Sequence, residues 1–321
     1  MYNSLSIEER VNFYLAPKLR SSLAVKQDLP SSKYKNFYFD KSFLWGQHGE
    51  VTFNSYVQTA VERFSELNIN SLHNPIILGD VSDAGEKFLF SKSRLEDPNG
   101  TYTLIKCLEE VRHWESINST DLLTSIGMGR GSNTEILRYS DKKSAAVFIG
   151  ATSGGSFGWD LRSGNRFCLV EKYGASNNPK INVGFSVFGQ DAEDFYYRYR
   201  KPALSISQQR QYKYIISVEG NDKDSGLQWK LKSNSVVFMP RPKISSWLME
   251  TTLIPNYHYI ELRDDFEDLE EKINWCDNNY KKCIEIMTNA HNYMSQFEDL
   301  QREREIEKKV IEKQFSLVYY T

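Results

Sequence analysis

The run YKYIISVEGNDKDSGLQWKLKSNSVVFMPRPKISSWLMETTLIPNYHY, from Tyr212 to Tyr259, decides the fold. Tyr212 to Val218 is mostly aromatic or β-branched and stops at Glu219-Gly220-Asn221, which predicts a buried strand ending in a turn. Ser225 is a helix-capping type, and Leu227 and Leu231 give the short helix behind it an apolar face. Ser235 to Met239 is a second apolar strand, stopped by Pro240 and Pro242. Strand, helix and strand in this order make a β-α-β unit of a doubly wound α/β sheet, whose ligands bind beyond the carboxyl ends of the strands. Glu219, Gly220, Asn221, Ser225 and Gly226 fall at that end of the first strand, where an anion would meet backbone N–H groups at a helix start.

The order of residue types here is also distinctive. KYIISVEGND, a serine four positions after the asparagine, a tryptophan four later, then SNSVVFMP, SWLME and HY resembles glycosyltransferase family 90 from about Lys213 to Asp268. The family includes bacterial lipopolysaccharide and capsule glycosyltransferases and the protein O-glucosyltransferases. The resemblance implies a GT-B fold: two Rossmann-like domains facing a central cleft, with C-terminal helices and the nucleotide-sugar in the second domain. It further implies an inverting transfer of glucose or xylose from a UDP-sugar to a glycan or glycolipid hydroxyl, with no metal cofactor.

Carried onto this sequence, the resemblance marks Asp80, after the apolar run in NPIILGD, as the base that takes the acceptor proton. Read from the residues alone, Asp80 is either that base or a cap of the turn into Val81-Ser82-Asp83, with Asp83 the second candidate. FLFSKSR downstream also resembles the family. Ala145 to Phe148 predicts a strand running into Ile149-Gly150-Ala151-Thr152-Ser153-Gly154-Gly155, a small-residue turn suited to close approach of a phosphate. Gly150 and Arg166 match family donor-site positions, whereas Ile149 stands where the family has an arginine. Arg162 and Arg166 are the nearby cations, and arginine grips phosphate bidentately. Thr152 in the turn and Glu250 in SWLME complete the expected donor residues; His258 reads as a structural histidine or a weaker candidate.

The remaining sequence frames these motifs. At 321 residues with 40% hydrophobic and 13% aromatic content, the chain suits two domains: 1–140 on the acceptor side, 141–298 for the nucleotide-sugar, and 299–321 as a charged C-terminal helix. A net charge of −2 gives no broad basic field for nucleic acid. No run approaches the ~18 apolar residues of a membrane span, so the expectation is a cytoplasmic protein with at most peripheral contact at the inner membrane. Cys107, Cys168, Cys276 and Cys283 have no metal-ligand spacing and read as reduced thiols.

Ser6 to Glu9 predicts a capping box opening a helix that Pro17 ends. Strands are expected at 36–44, 75–78, 87–90 and 167–171, and helices at 54–67, 103–114 and through 264–314, with 299–314 a surface or partner-contacting helix. Gly127-Met-Gly-Arg-Gly131 lacks a preceding strand and reads as a turn rather than a phosphate loop. Phe195 to Lys201, FYYRYRK, interleaves aromatics and cations; a solvated helix face or an anionic-surface patch both fit. Asp222-Lys223-Asp224 is a D-x-D, which in metal-dependent glycosyltransferases holds a divalent cation against the diphosphate. A relative that binds a nucleotide-sugar or carbohydrate without catalysis is the competing function, and Ile149 is the residue that keeps it open.

Overall fold

The computed structural model describes residues 5–20, 25–27, 37–39, 62–69, 76–78, 89–107, 137–154, 164–189 and 194–320. Asp80, Asp83, Arg162 and the Gly127–Gly131 turn lie outside the described residues.

The chain opens with α1 (Ile7–Tyr14). Ser6 and Glu9 cap each other's backbone in a full capping box, as the sequence predicts. The strands β1 (Val25–Gln27), β2 (Phe37–Phe39), β3 (Ile76–Leu78), β4 (Leu89–Ser91), β5 (Ser93–Leu95) and β6 (Tyr102–Leu104) follow. β2, β3, β4 and β6 form a parallel sheet in that order. Thr103 and Leu104 therefore belong to a strand; the helix expected from 103 begins at 106. The β-branched and aromatic residues in Tyr-Thr-Leu, all buried, pull this segment into the sheet.

The second sheet is made by β7 (Lys143–Ala151), β8 (Ile181–Val187), β9 (Tyr212–Ile216), β10 (Val236–Met239) and β12 (Ile260–Glu261), with β11 (Ile244–Ser246) set apart. The sheet is all parallel in the order β12-β10-β9-β7-β8. Numbered within this half, that is 2-1-3-4-5, the doubly wound order whose chain direction reverses between its first and third strands. The reversal falls between β7 and β9. Between the strands lie α2 (Arg166–Tyr173), α3 (Ile206–Gln209) and α4 (Leu227–Leu231), and after them α5 (Leu269–Asn278), α6 (Tyr280–Ser295) and α7 (Leu300–Leu317), with β13 (Val318–Tyr320) last.

Both faces of this sheet are covered, so the inner stretches of its central strands are apolar, and all four residues of β10 are buried. Alternate residues serve opposite faces. Phe148, Tyr214, Ile216 and Phe238 pack with Leu169 of α2 and Leu269 and Ile273 of α5, while Val147, Ile149 and Ile215 pack with Ile206 and Trp229. Full burial of one such side chain stabilises by about 1.5–3 kcal/mol.

The segment 167–171, expected to be a strand, is helical in α2: Asn165 caps it by accepting from the Cys168 N–H at 2.8 Å. A short apolar run does not by itself separate strand from buried helix, and the cap decides. β7 also runs on through Ala151, so Ile149 and Gly150 lie within the strand rather than in the turn after it. The aromatic–cation run forms a 3-10 turn, Asp194–Tyr199, with Tyr199 buried and Tyr196 against Phe167; Phe195 and Tyr197 remain exposed.

The halves share one core. Val11, Phe64, Phe90 and Leu104 cluster with Leu231, Val237, Tyr293, Val310 and Ile311. α7 lies on α1, and its acidic residues are buried in ion pairs: Glu303 with Arg10 and Lys106, and Glu307 with Arg63. The partner of this charged helix is thus the chain's own N-terminal half. β13 pairs in parallel with β1, Val25 opposite Val318. β5 pairs antiparallel with β11, Ser93 opposite Ser246, and ties the two sheets together. All four cysteines are free thiols. No helix among the described residues is long and apolar enough to cross a membrane.

Candidate functional site

The carboxyl ends of β7 and β9 meet at two loops, 152–154 and 219–221, joined by Arg166. This side chain is 8% exposed. Its Nε donates to the Val218 carbonyl at 3.2 Å and its Nη1 to Ser153 Oγ at 2.5 Å. Burial pulls the guanidinium below its usual range, opposed by the charges of Asp224 and Asp222. The loops touch closely. Gly154 has φ +94°, and a Cβ on it would sit 2.9 Å from the Gly220 carbonyl oxygen. A Cβ on Gly220 would sit 3.0 Å from both Arg166 Nη2 and Ser153 Oγ. Glycine at 154 is therefore a steric requirement, and at 220 any side chain would press on Arg166 and Ser153. Asn221 fixes the junction, its Oδ1 accepting from the Gly154 N–H at 2.7 Å.

Beside this junction, beyond β9 and β10, opens a cleft. Ser217, Glu219, Lys223, Asp224, Arg241, Lys243 and Glu250 supply its polar walls, and Leu227, Met239, Pro240 and Pro242 its apolar ones. Of the expected donor residues, Glu219 and Glu250 line the cleft. Arg166, Gly220 and Asn221 build the junction next to it.

Gly150 and Thr152 lie on the β8 side: a Cβ on Gly150 would meet the Phe148 ring at 2.7 Å, and Thr152 Oγ1 donates to the Gly189 carbonyl at 3.0 Å. Ser225 does not cap the helix. The N-cap of α4 is Gly226, without a side-chain bond, and Asp224 takes the capping role by accepting from the Gly226 N–H at 2.9 Å. α4 is five residues long, so the helix-end field that the sequence suggested for an anion is small.

Both acidic side chains in the cleft are held. Glu219 Oε1 accepts from the N–H groups of Lys243 and Ile244, each at 2.9 Å, which anchors the start of β11. Glu250 accepts from the Ser246 N–H at 2.6 Å and from its hydroxyl at 2.7 Å. Burial pushes the Glu250 carboxyl up despite the Lys223 charge and these bonds. Met249, just before it, has φ +55°, a left-handed conformation that a non-glycine residue holds at a cost of about 1–3 kcal/mol.

The D-x-D is occupied by lysines. Asp222 pairs with Lys92 and accepts from Ser93 Oγ at 3.4 Å, both residues of the FLFSKSR segment. Asp224 pairs with Lys230 at 2.5 Å and accepts from Ser217 Oγ at 2.5 Å. Burial alone would push Asp224 up; Lys230 and Arg166 outweigh it and pull the carboxyl down to about 2. His258 is also structural. Its Nδ1 accepts from the Ile254 N–H at 2.9 Å, and burial lowers its pKa to about 4. The cleft cations Lys223, Arg241 and Lys243 were not singled out from the sequence. Their signal was position, since all three fall within a few residues of the carboxyl ends of β9 and β10.

The profile described as "Glycosyl transferase family 90" matches residues 132–304, more than half of the chain. An "O-glucosyltransferase LpsA" of Dichelobacter nodosus is 32% identical over 240 residues, covering 75% of this chain and 66% of that protein. The uncharacterized protein 035R of Invertebrate iridescent virus 3 is 28% identical over 168 residues, covering 48% of this chain and 15% of that protein. The uncharacterized protein 179R of Invertebrate iridescent virus 6 is 33% identical over 93 residues, covering 27% and 8%. The chain thus spans less than two thirds of the length of each of these relatives. The matched residues hold the five-stranded sheet, Arg166 and the whole 219–226 loop, and the chain belongs to glycosyl transferase family 90.

Proposed function

We propose that this chain is an inverting glycosyltransferase of GT-B architecture that moves glucose or xylose from a UDP-sugar to a hydroxyl of a lipopolysaccharide or capsule glycan, without a metal cofactor. The observation that carries this reading is the cleft beyond the carboxyl ends of β9 and β10, walled by Lys223, Lys243 and Glu250 and bordered by the buried Arg166–Gly220 junction at the reversal point of the sheet. Such a point is where a doubly wound sheet takes a nucleotide. The description of the Dichelobacter relative as an O-glucosyltransferase favours glucose. In this reading residues 141–298 hold the donor, 1–140 face the acceptor and 299–321 form the closing helix. The protein works in the cytoplasm, at most touching the inner membrane.

Asp80 is the proposed base. It takes the acceptor proton as the oxygen attacks the anomeric carbon and the C–O bond to UDP breaks with its electron pair. Support for it comes from the first sheet: Leu78 pairs in parallel with Phe90, so the chain leaves β3 at the edge where β4 leads to Lys92 and its pair with Asp222. Metal independence is supported by the lysine pairs on both aspartates of the D-x-D. Ile149, buried in β7 where the family resemblance leads to an arginine, favours the non-catalytic reading, and activity separates the two.

UDP release is the test, measured from UDP-glucose and UDP-xylose with and without a lipopolysaccharide core oligosaccharide, in EDTA. Turnover is expected, and Asp80→Asn is expected to lower it about 10²-fold or more while UDP still raises Tm. A wild-type protein that binds UDP yet turns over neither donor would leave the binding-only reading; no response to UDP would sink both.

A further inference from the structure

Three consecutive residues of the donor loop, Asp222, Lys223 and Asp224, have different surroundings. Asp222 is pinned from one side by Lys92 and Ser93 of the N-terminal half, and Asp224 from the other by Lys230 and Ser217. Lys223, between two fixed neighbours, is 5% exposed and lines the cleft together with Ser217, Leu227 and Glu250. The carboxylates there, Glu219, Asp224 and Glu250, are matched by Lys223, Arg241 and Lys243, and Arg166 and Lys230 stand directly behind Asp224. Arg241 and Lys243 are themselves paired with Glu261 and Asp264, each at 3.0 Å, so the charges around the cleft balance, and Lys223 is the deeply buried cation in its wall.

We propose that Lys223 is a catalytic residue whose ammonium neutralises the diphosphate of the departing nucleotide, standing where a D-x-D metal would stand in a metal-dependent enzyme. As the acceptor oxygen bonds to the anomeric carbon and loses its proton to the base, the anomeric C–O bond breaks and its electron pair stays on the β-phosphate oxygen. Lys223 stabilises that added negative charge, which is greater in the transition state than in the bound donor. Its pinned neighbours hold the stretch of loop that carries it. Lys223 takes this role only if a UDP-sugar occupies the cleft, as proposed above.

Calorimetric titration of the whole chain with UDP and with uridine tests the role, because only UDP carries the diphosphate. Wild-type protein should prefer UDP to uridine, in EDTA. Lys223→Met should bind UDP about 10- to 100-fold more weakly, bind uridine like the wild type, and lose turnover; Lys223→Arg should recover most of the UDP preference. If the methionine variant does not fold, Lys223→Gln is read in the same way. Wild-type UDP affinity and turnover in the folded variant would overturn the proposal, as would a UDP preference that appears only with Mn²⁺. Wild-type protein that binds neither compound would instead overturn the donor site itself.

Discussion

Two buried arginines, Arg94 and Arg166, do opposite jobs. Arg94 is 1% exposed, and its guanidinium donates to the carbonyls of Phe13, Tyr14, Leu15 and Tyr102 at 2.5–3.1 Å. Those of Tyr14 and Leu15 are end carbonyls of α1, which have no partner within the helix. Arg94 is therefore a knot that ties α1 to β5 and β6, and burial pulls its pKa down to about 10. Arg166 is nearly as buried, but it gathers separate loop ends at the edge of a cleft, and glycine stands where a side chain would press on it. Burial of a cation is thus not a functional signal; the kind of backbone it gathers is.

The largest expected effect lies at the knot. Arg94→Met leaves several buried carbonyls without donors, at about 1–3 kcal/mol each, and should lower stability by about 3–5 kcal/mol in urea titration. A loss under about 1 kcal/mol would erase the distinction between the two arginines. Protein that remains folded should still respond to UDP.

The next effect lies beside Arg166. Lys230 and Arg166 hold Asp224 in its charged form, from its ordinary 3.8 down to about 2. A depressed carboxyl stabilises the fold above its unfolded pKa, and the contribution is lost as pH falls from about 4 through 2. At 1.36 kcal/mol per unit this is roughly 2 kcal/mol. Asp224→Asn should cost about that much at pH 7 and flatten the acid limb of stability in this window. An unchanged acid limb would break the link between Asp224 and its cations. The smallest stability effect, about 1 kcal/mol or less, is expected for Arg166→Lys, which keeps the charge and loses the fork. Its UDP affinity should nevertheless fall about tenfold. Calorimetry that finds affinity intact and stability sharply reduced would make Arg166 a second knot.

Legibility followed locality. The capping box of α1 and the strands β9 and β10 were readable because each depends on residues within a few positions. α2 was misread because Phe-Cys-Leu-Val-Glu is apolar enough for either element, while Asn165 carried the deciding hydrogen bond. The 219–221 turn is legible in the residue pattern and Arg166 in its nearness to a small-residue turn and in the family resemblance, but the structure joins them through contacts spanning more than fifty residues. The Lys92–Asp222 pair spans 130 residues, and no pattern along the chain announces it. The same holds for α7, whose charged sequence resembles a solvated surface although Glu303 and Glu307 are buried against Arg10 and Arg63.

The return of α7 and β13 to the N-terminal segments makes part of the shared core a contact between residues synthesised far apart in time. Val25 pairs with Val318, and Val310 and Ile311 complete the cluster around Val11, Phe64 and Phe90. The first hundred residues therefore emerge from the ribosome without the helix that covers them. At about 5–20 residues per second, translation of the remaining two hundred takes roughly 10–40 s. Through that interval Val11, Phe64 and Phe90 lack the side chains of Val310 and Ile311 that complete their cluster.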